Sequence, residues 1–175
     1  MLKGASFKIE SGEKIGIVGR TGAGKSTITS VIYRLIECAE GEVLLDGVDI
    51  SKIGLRALRG RENNLCIIPQ DPMLFSGTVK SCIDPFSRYT DNEIQTVLTR
   101  VRLTCLPSNL VEEGGKNFSV GERQLLILAR SLLAKPKILV LDEASASLDG
   151  ETDNFIQTML REAFDGCTIV CIAHR

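Results

Sequence analysis

An excess of charge of either sign is missing from this sequence. Over 175 residues, 21 basic side chains meet 22 acidic ones, for a net charge of −1. That balance supplies no basic field for a phosphate backbone and excludes nucleic acid as the expected partner. Cysteine spacing is equally uninformative. Cys38, Cys66, Cys82, Cys105, Cys167 and Cys171 are scattered without zinc or redox intervals. Several lie in apolar runs, which predicts reduced, buried thiols in a cytosolic setting. No apolar run approaches the roughly 20 residues that span a bilayer. No secretory signal is read at the start; Met1 leads straight into an amphipathic segment. Repeats and low-complexity linkers are lacking too. What remains is a hydrophobic content of 43% in a length that suits one domain with its own core.

Residues 19–26 read Gly-Arg-Thr-Gly-Ala-Gly-Lys-Ser. The preceding stretch, 14–18, is short and apolar, as a buried parallel strand should be. After it, Ile28, Val31, Ile32, Leu35 and Ile36 recur at helical spacing, which predicts a helix over 26–36. A glycine-rich loop between a strand and a helix is the setting of a phosphate-binding loop. Gly19, Gly22 and Gly24 give the backbone conformations that a Cβ would block. Thr21, Ala23 and Thr27 complete the stretch whose N–H groups converge at the helix start, where the helix adds partial positive charge. Lys25 would reach the β- and γ-phosphates, and the Ser26 hydroxyl would ligate Mg²⁺.

A second apolar run, 137–143, ends in Asp142 and Glu143. A strand that delivers carboxylates at its C-terminal end matches where ligands bind in open α/β sheets. Asp142 would hold Mg²⁺, directly or through water, and Glu143 would polarise the attacking water as general base. Further on, Ser119 and Glu122 have the spacing of a capping box before an apolar helical run over 125–133. Taken alone, Ser119 merely caps a core helix. That helix start could also accept an anion, through its free N–H groups, Ser119 Oγ and a close backbone approach at Gly121.

The remaining pattern predicts strands over 5–9, 13–18, 42–47, 65–68 and 168–173, with a turn at Asp46-Gly47 and a stop at Pro69. A helical insert is expected from about 76 to 135. Within it Thr90 and Glu93 form a capping box for a helix with Ile94, Val97, Leu98 and Val101 on one face. A last helix is expected over 151–164.

Phe118-Ser119-Val120-Gly121-Glu122 resembles the signature of the ATP-binding cassette (ABC) family, Leu-Ser-Gly-Gly-Gln, and stands shortly before the Leu-Asp-Glu strand as it does there. Ile68-Pro69-Gln70-Asp71 resembles the Q-loop, Ala146-Ser147-Leu148-Asp149 the D-loop, and His174, the single histidine, the switch histidine. Residues 12–26, 74–79 and 83–86 are most similar to the second cassette of C-subfamily, multidrug-resistance-associated exporters. Glu143, often lacking in the first cassette of that group, agrees.

The resemblance implies an α/β fold: a P-loop NTPase with a mostly parallel sheet flanked by helices, plus a helical subdomain that bears the signature, about 76–135 of a partial cassette over 1–175. It implies ATP and Mg²⁺ as ligands and ATP hydrolysis coupled to transport of a solute. Two cassettes would sandwich two nucleotides. Lys25, Ser26, Asp142 and Glu143 would serve one, while Ser119 and Gly121 contact the γ-phosphate held by the partner cassette. Gln70 would touch Mg²⁺ or the lytic water and report to the transmembrane domains. His174 would contact the γ-phosphate and help hold Glu143 and the water. The cassette would be membrane-associated through the full transporter, on the cytosolic side, its helical insert docking on coupling helices of the membrane domain.

Departures from the family pattern shape the other expectations. Val120 and Glu122 replace a glycine and a glutamine; both occur in the C subfamily, although Glu122 adds negative charge near a triphosphate unless the capping box engages it. The aromatic residue that stacks on adenine falls upstream of Met1, the insert is several residues short near 103–108, and the chain stops right after His174. These features predict a truncated cassette that binds ATP weakly and hydrolyses it slowly or not at all as an isolated chain. A turnover rate equal to that of a complete cassette would refute this. A soluble ABC ATPase of DNA repair or translation is the other alternative. It calls for a coiled-coil insertion, an iron–sulfur region or a second cassette, none of which is read here.

Overall fold

A computed structural model of the chain describes residues 4–60, 65–142 and 148–173. These divide into two compact units. One contains the described residues up to 67 together with 136–142 and 166–173; the other contains 68–135 and 148–165.

In the first unit, strand β1 (Lys14–Val18) leads through the glycine-rich loop into helix α1 (Lys25–Ile32). A small hairpin follows, β2 (Leu44–Leu45) against β3 (Val48–Asp49). Its two-residue turn is Asp46-Gly47, with φ of 50° and 79°. Positive φ at both central positions matches the right-handed twist of the strands, which is why Asp-Gly serves here. A short helix α2 (Leu55–Arg59) precedes β4 (Leu65–Ile68).

The second unit begins with β5 (Gly77–Thr78) and α3 (Val79–Ile83), then α4 (Asp91–Arg100), β6 (Leu110–Val111) and α5 (Val120–Ala134). The chain returns to the first unit for β7 (Ile138–Asp142), supplies α6 (Gly150–Ala163) to the second, and closes with β8 (Thr168–Ala173). The order of the main sheet is β1-β8-β7-β4. β8 is paired in parallel with both neighbours: Lys14 stands opposite Ile169 and Ile138 opposite Thr168. Parallel pairing suits runs such as Ile-Leu-Val-Leu and Thr-Ile-Val-Cys-Ile-Ala, apolar on both faces. Leu65, Val140 and Val170 form the buried centre, with Ile15, Ile17, Ile32 and Tyr33 packed on it.

In the second unit α5 packs against α3, α4 and α6. It is buried around most of its circumference, from Gln124 through Leu126, Ile127, Leu128 and Ala129 to Leu133. A helix so apolar needs neighbours on several sides. Ile94 and Leu98 of α4 are fully buried, as the period over 94–101 requires.

The mixed α/β class and mostly parallel sheet agree with expectation. Several local readings need correction. Residues 5–9 form no strand, although Ile9 packs on the sheet core; alternation alone makes no strand without a hydrogen-bonding partner, and no described strand pairs with this segment. α1 ends at Ile32 rather than 36, because Arg34 takes a left-handed φ of 48°. Its guanidinium donates to the Ile50 and Ile53 carbonyls at 2.8 and 2.6 Å, an anchorage that stabilises the bend. β1 alternates half-buried and exposed residues, with Val18 67% exposed, instead of being buried on both faces. Among the described strands it stands last in the sheet order, with a neighbour on one side. The stretch 76–135 is not wholly helical, since β5 and β6 form an antiparallel ribbon within it. Cys82 and Cys167 are buried, Cys66, Cys105 and Cys171 intermediate and Cys38 exposed, so burial is less general than the apolar runs predict. Burial raises the Cys82 and Cys105 thiols above their ordinary value and pushes Cys167 up to about 11.

Candidate functional site

The loop between β1 and α1 turns tightly, with Ala23 N–H donating to Arg20 O at 3.1 Å. Gly22 and Gly24 take φ of 79° and 90°, a region that costs other L-residues about 1–2 kcal/mol. Gly19 does not need that freedom. A Cβ there would stand 3.5 Å from Ala23 Cβ and 3.7 Å from Lys25 Cδ, ordinary van der Waals contact with the lysine stem that lies over the loop. Lys25 is 7% exposed. Its Nζ donates to Gly19 O at 2.8 Å and to Arg20 O at 3.2 Å. The ammonium is thus held along the loop by the loop's own carbonyls.

Gly24, the residue before α1, has no side chain to cap the helix, and no acidic residue occupies the first turn. The leading N–H groups of a helix have no intrahelical acceptor. Together with the positive end of the helix dipole they favour an anion at this point.

Ser26, at the start of α1, and Asp142, the last residue of β7, lie 116 positions apart in sequence. Ser26 Oγ donates to Asp142 Oδ1 at 3.3 Å. The parallel register carries β7 to this point, pairing Asp142 with Ile172 of β8. A hydroxyl and a carboxylate at hydrogen-bond distance are hard oxygen donors of the type Mg²⁺ takes, usually one or two protein groups with water and phosphate completing the shell. The residues present therefore fit the expected ion. Among the described residues no cluster of three or more His, Cys, Asp or Glu is poised to hold a metal. Glu143 and His174 lie outside the described residues.

The other predicted residues belong to the second unit. Ser119 is the N-cap of α5, and the capping box is complete. Ser119 Oγ accepts from Glu122 N at 3.2 Å, while Glu122 Oε2 accepts from both Ser119 N and Ser119 Oγ at 2.8 Å. Glu122 is thus engaged in the box, the condition under which its charge is partly spent on the helix start. Gly121 lies in the first turn, and a Cβ there would meet Thr152 Cγ2 at 3.6 Å. Thr152 donates to Asp149 Oδ2 at 2.8 Å, and Asp149 caps α6. These hydrogen bonds hold the Asp149 carboxyl below its ordinary range, those from Thr152 most strongly. Gln70 is exposed, and its backbone carbonyl accepts from the Gln124 side chain at 3.3 Å.

Within the first unit the structure therefore brings together Lys25, the loop glycines, Ser26 and Asp142. Within the second it places Ser119 and Gly121 at the start of α5, with Gly121 beside Thr152. Sequence reading passed over Arg123, Gln124 and Thr152. Gln124 carried no distinguishing signal, since it stands between Arg123 and the start of the apolar run at Leu125.

The family model for ABC transporters matches residues 2–146. Over its whole length the chain is 55% identical to "ABC transporter C family member 3" of Dictyostelium discoideum, covering 13% of that protein. It is likewise 50% identical to "ATP-binding cassette sub-family C member 2" of Rattus norvegicus, covering 12%. The chain thus spans about an eighth of the length of these relatives. A solved structure, that of a bacterial Atm1-family ABC exporter with ATP bound, superposes with a TM-score of 0.88 at 35% identity, over 99% of this chain and 31% of that one. Among the described residues no helix is long and apolar enough to cross a membrane.

Proposed function

This chain belongs to the ABC transporter family, and from that premise we propose that it is the ATP-binding and ATP-hydrolysing cassette of a solute exporter of the C subfamily. The observation that carries the proposal is the meeting of Ser26 with Asp142 at 3.3 Å beside a lysine held along an uncapped glycine-rich turn. Two motifs far apart in sequence supply the two halves of a triphosphate site. The relatives over the full chain are named as C-subfamily members, and the structural neighbour is an exporter with ATP bound.

In the proposed mechanism the amides of residues 21–27, with Gly19, cradle the phosphates of ATP, and the Lys25 ammonium moves from loop carbonyls toward the β- and γ-phosphates. Ser26 and Asp142, with Gln70, would hold Mg²⁺, which when bound neutralises charge on the phosphate oxygens. Glu143 accepts a proton from the attacking water as its oxygen bonds to the γ-phosphorus; the bond to the β–γ bridging oxygen breaks and ADP leaves. His174 helps hold Glu143 and the water. Ser119 and Gly121 contact the γ-phosphate on a second cassette, in trans or within the same polypeptide. Transmembrane domains complete the transporter, with the cassette on the cytosolic side of the membrane.

Glu143→Gln in the full-length protein tests the chemistry. Hydrolysis is expected to fall about 100-fold or more, the loss of a general base, while calorimetry still detects ATP binding. Normal turnover in that variant would remove Glu143 from its role, and failure of the parent to bind ATP in millimolar Mg²⁺ would overturn the proposed function as a whole.

A further inference from the structure

Gln124 is 2% exposed, deep for a residue type that is mostly found at the surface. Its Nε2 donates to Pro69 O at 2.9 Å and to Gln70 O at 3.3 Å. Its Oε1 is buried without a partner. An apolar side chain of similar length would fill the same space without burying an unpaired oxygen. Packing therefore does not account for a glutamine here, whereas the two donated bonds do.

Those bonds have a specific geometric consequence. The Pro69 and Gln70 carbonyls belong to the two peptide planes that flank the Gln70 Cα. Each plane is rigid, so holding both fixes φ and ψ of Gln70. The direction in which the exposed Gln70 side chain leaves the backbone is then set by Gln124. Arg123, one residue earlier, braces the same segment. Its Nη1 donates to Gly114 O at 3.2 Å and reaches Pro72 O at 3.5 Å. Gly115, with φ of 71°, makes room for this arm, since a Cβ there would stand 2.9 Å from Arg123 Cδ and 3.0 Å from Leu74 Cδ1.

We propose that Gln124 is a positioning residue that aims Gln70, and that it makes the Gln70 backbone and the start of α5, where Ser119 and Gly121 sit, move as one body. The proposal rests on the reading of Gln70 given under Proposed function. By this arrangement the residue that senses one nucleotide is fastened to the turn that contacts the other.

The test compares Gln70→Ala, Gln124→Met and the double variant in the full-length protein. Gln124→Met keeps the length and removes both the donor and the unpaired oxygen, so the melting temperature should stay near that of the parent. Its kcat for ATP should fall about 5- to 20-fold with KM changed less than about twofold, the split expected for an interaction used after binding. Added to Gln70→Ala, it should cost less than about a further twofold, because a residue that acts only through Gln70 has nothing left to aim. Multiplication of the two single losses would overturn the positioning role while leaving the role of Gln70 intact. Wild-type turnover in Gln70→Ala would sink the reading of Gln70, and this proposal with it. Should Gln124→Met melt well below the parent, Gln124→Leu provides a second apolar variant for the same comparison.

Discussion

The starts of α1 and α5 use the same physics and leave it in opposite states. Each presents unpaired N–H groups at the positive end of a helix dipole. α1 follows Gly24, which has no side chain to cap it, and carries no acid in its first turn. α5 follows Ser119 and is closed by Glu122, whose Oε2 accepts from both Ser119 N and Ser119 Oγ at 2.8 Å. Such caps stabilise a helix by about 0.5–2 kcal/mol. A phosphate arriving at α1 therefore displaces no side-chain cap, whereas one arriving at Ser119 must first draw the hydroxyl proton away from a carboxylate. The difference suggests a division of labour. On the proposed function, the open end would take up nucleotide by itself, and the closed end would engage only when a partner cassette delivers a fully charged γ-phosphate.

The largest effect is expected at the open end. Lys25→Ala removes the ammonium held along that loop, and charge-assisted hydrogen bonds are worth about 1.5–3 kcal/mol each. ATP affinity measured by calorimetry on the full-length protein should weaken about 10- to 100-fold or more. Unchanged affinity would mean that the uncapped amides bind alone and that the contrast between the two helix starts has been misread.

Glu122→Gln attacks the closed end and should act in the opposite direction. The amide can keep the helix capped through its oxygen, but the charge near the arriving phosphate is gone. The ATP concentration for half-maximal hydrolysis should fall about 2- to 5-fold, with the gain shrinking as salt screens the parent carboxylate. Uptake of ATP at the Lys25 loop should not change. A rise in that concentration would show that the carboxylate assists engagement rather than opposing it.

Much of this contrast was legible before any coordinates. Serine or threonine three residues before glutamate marks a box by chemistry that is local, so Ser119–Glu122 and Thr90–Glu93 were read correctly. The central strands were legible because apolar runs of four to six residues admit few other structures beside helical neighbours. The ends of elements were not. Leu35 and Ile36 continue the apolar pattern of α1 yet are exposed, because a left-handed φ at Arg34 stops the helix, and nothing in an arginine announces that. The β5–β6 ribbon has two residues in each strand, too few to display a period. Residues 5–9 alternate well but pair with no strand among the described residues. Within the proposed site, the loop residues and Asp142 followed from spacing, since sequence order and parallel pairing together fix where β7 ends. The hold of Gln124 on the Pro69 and Gln70 carbonyls did not follow, because it joins a helix interior to a loop more than 50 positions away, and single-sequence patterns carry no information about such distances.

Acid offers the smallest and most selective way to probe the same comparison. Asp149 at α6 and Glu93 at α4 are both held below their ordinary carboxylate values, chiefly by hydrogen bonds from Thr152 and Thr90. A carboxylate whose pKa is lowered by folding stabilises the folded chain above its unfolded value, about 3.9 for Asp and 4.3 for Glu, and that contribution is lost as pH falls through the lowered folded value. The first turns of α4 and α6 should therefore loosen in that acid window. α1 has no carboxylate in its first turn to lose. Amide hydrogen exchange, corrected for its intrinsic pH dependence, should show protection falling modestly at Glu93, Glu151 and Thr152 between about pH 5 and 3, while the first turn of α1 keeps its own level. Glu93→Ala and Asp149→Ala, each of which removes the titrating carboxylate, should reproduce those losses at neutral pH and abolish further change on acidification. Equal loosening of α1 over that window would assign the effect to general destabilisation rather than to the caps, and the distinction between a helix start closed by carboxylate and one left open for phosphate would then have no signature in pH.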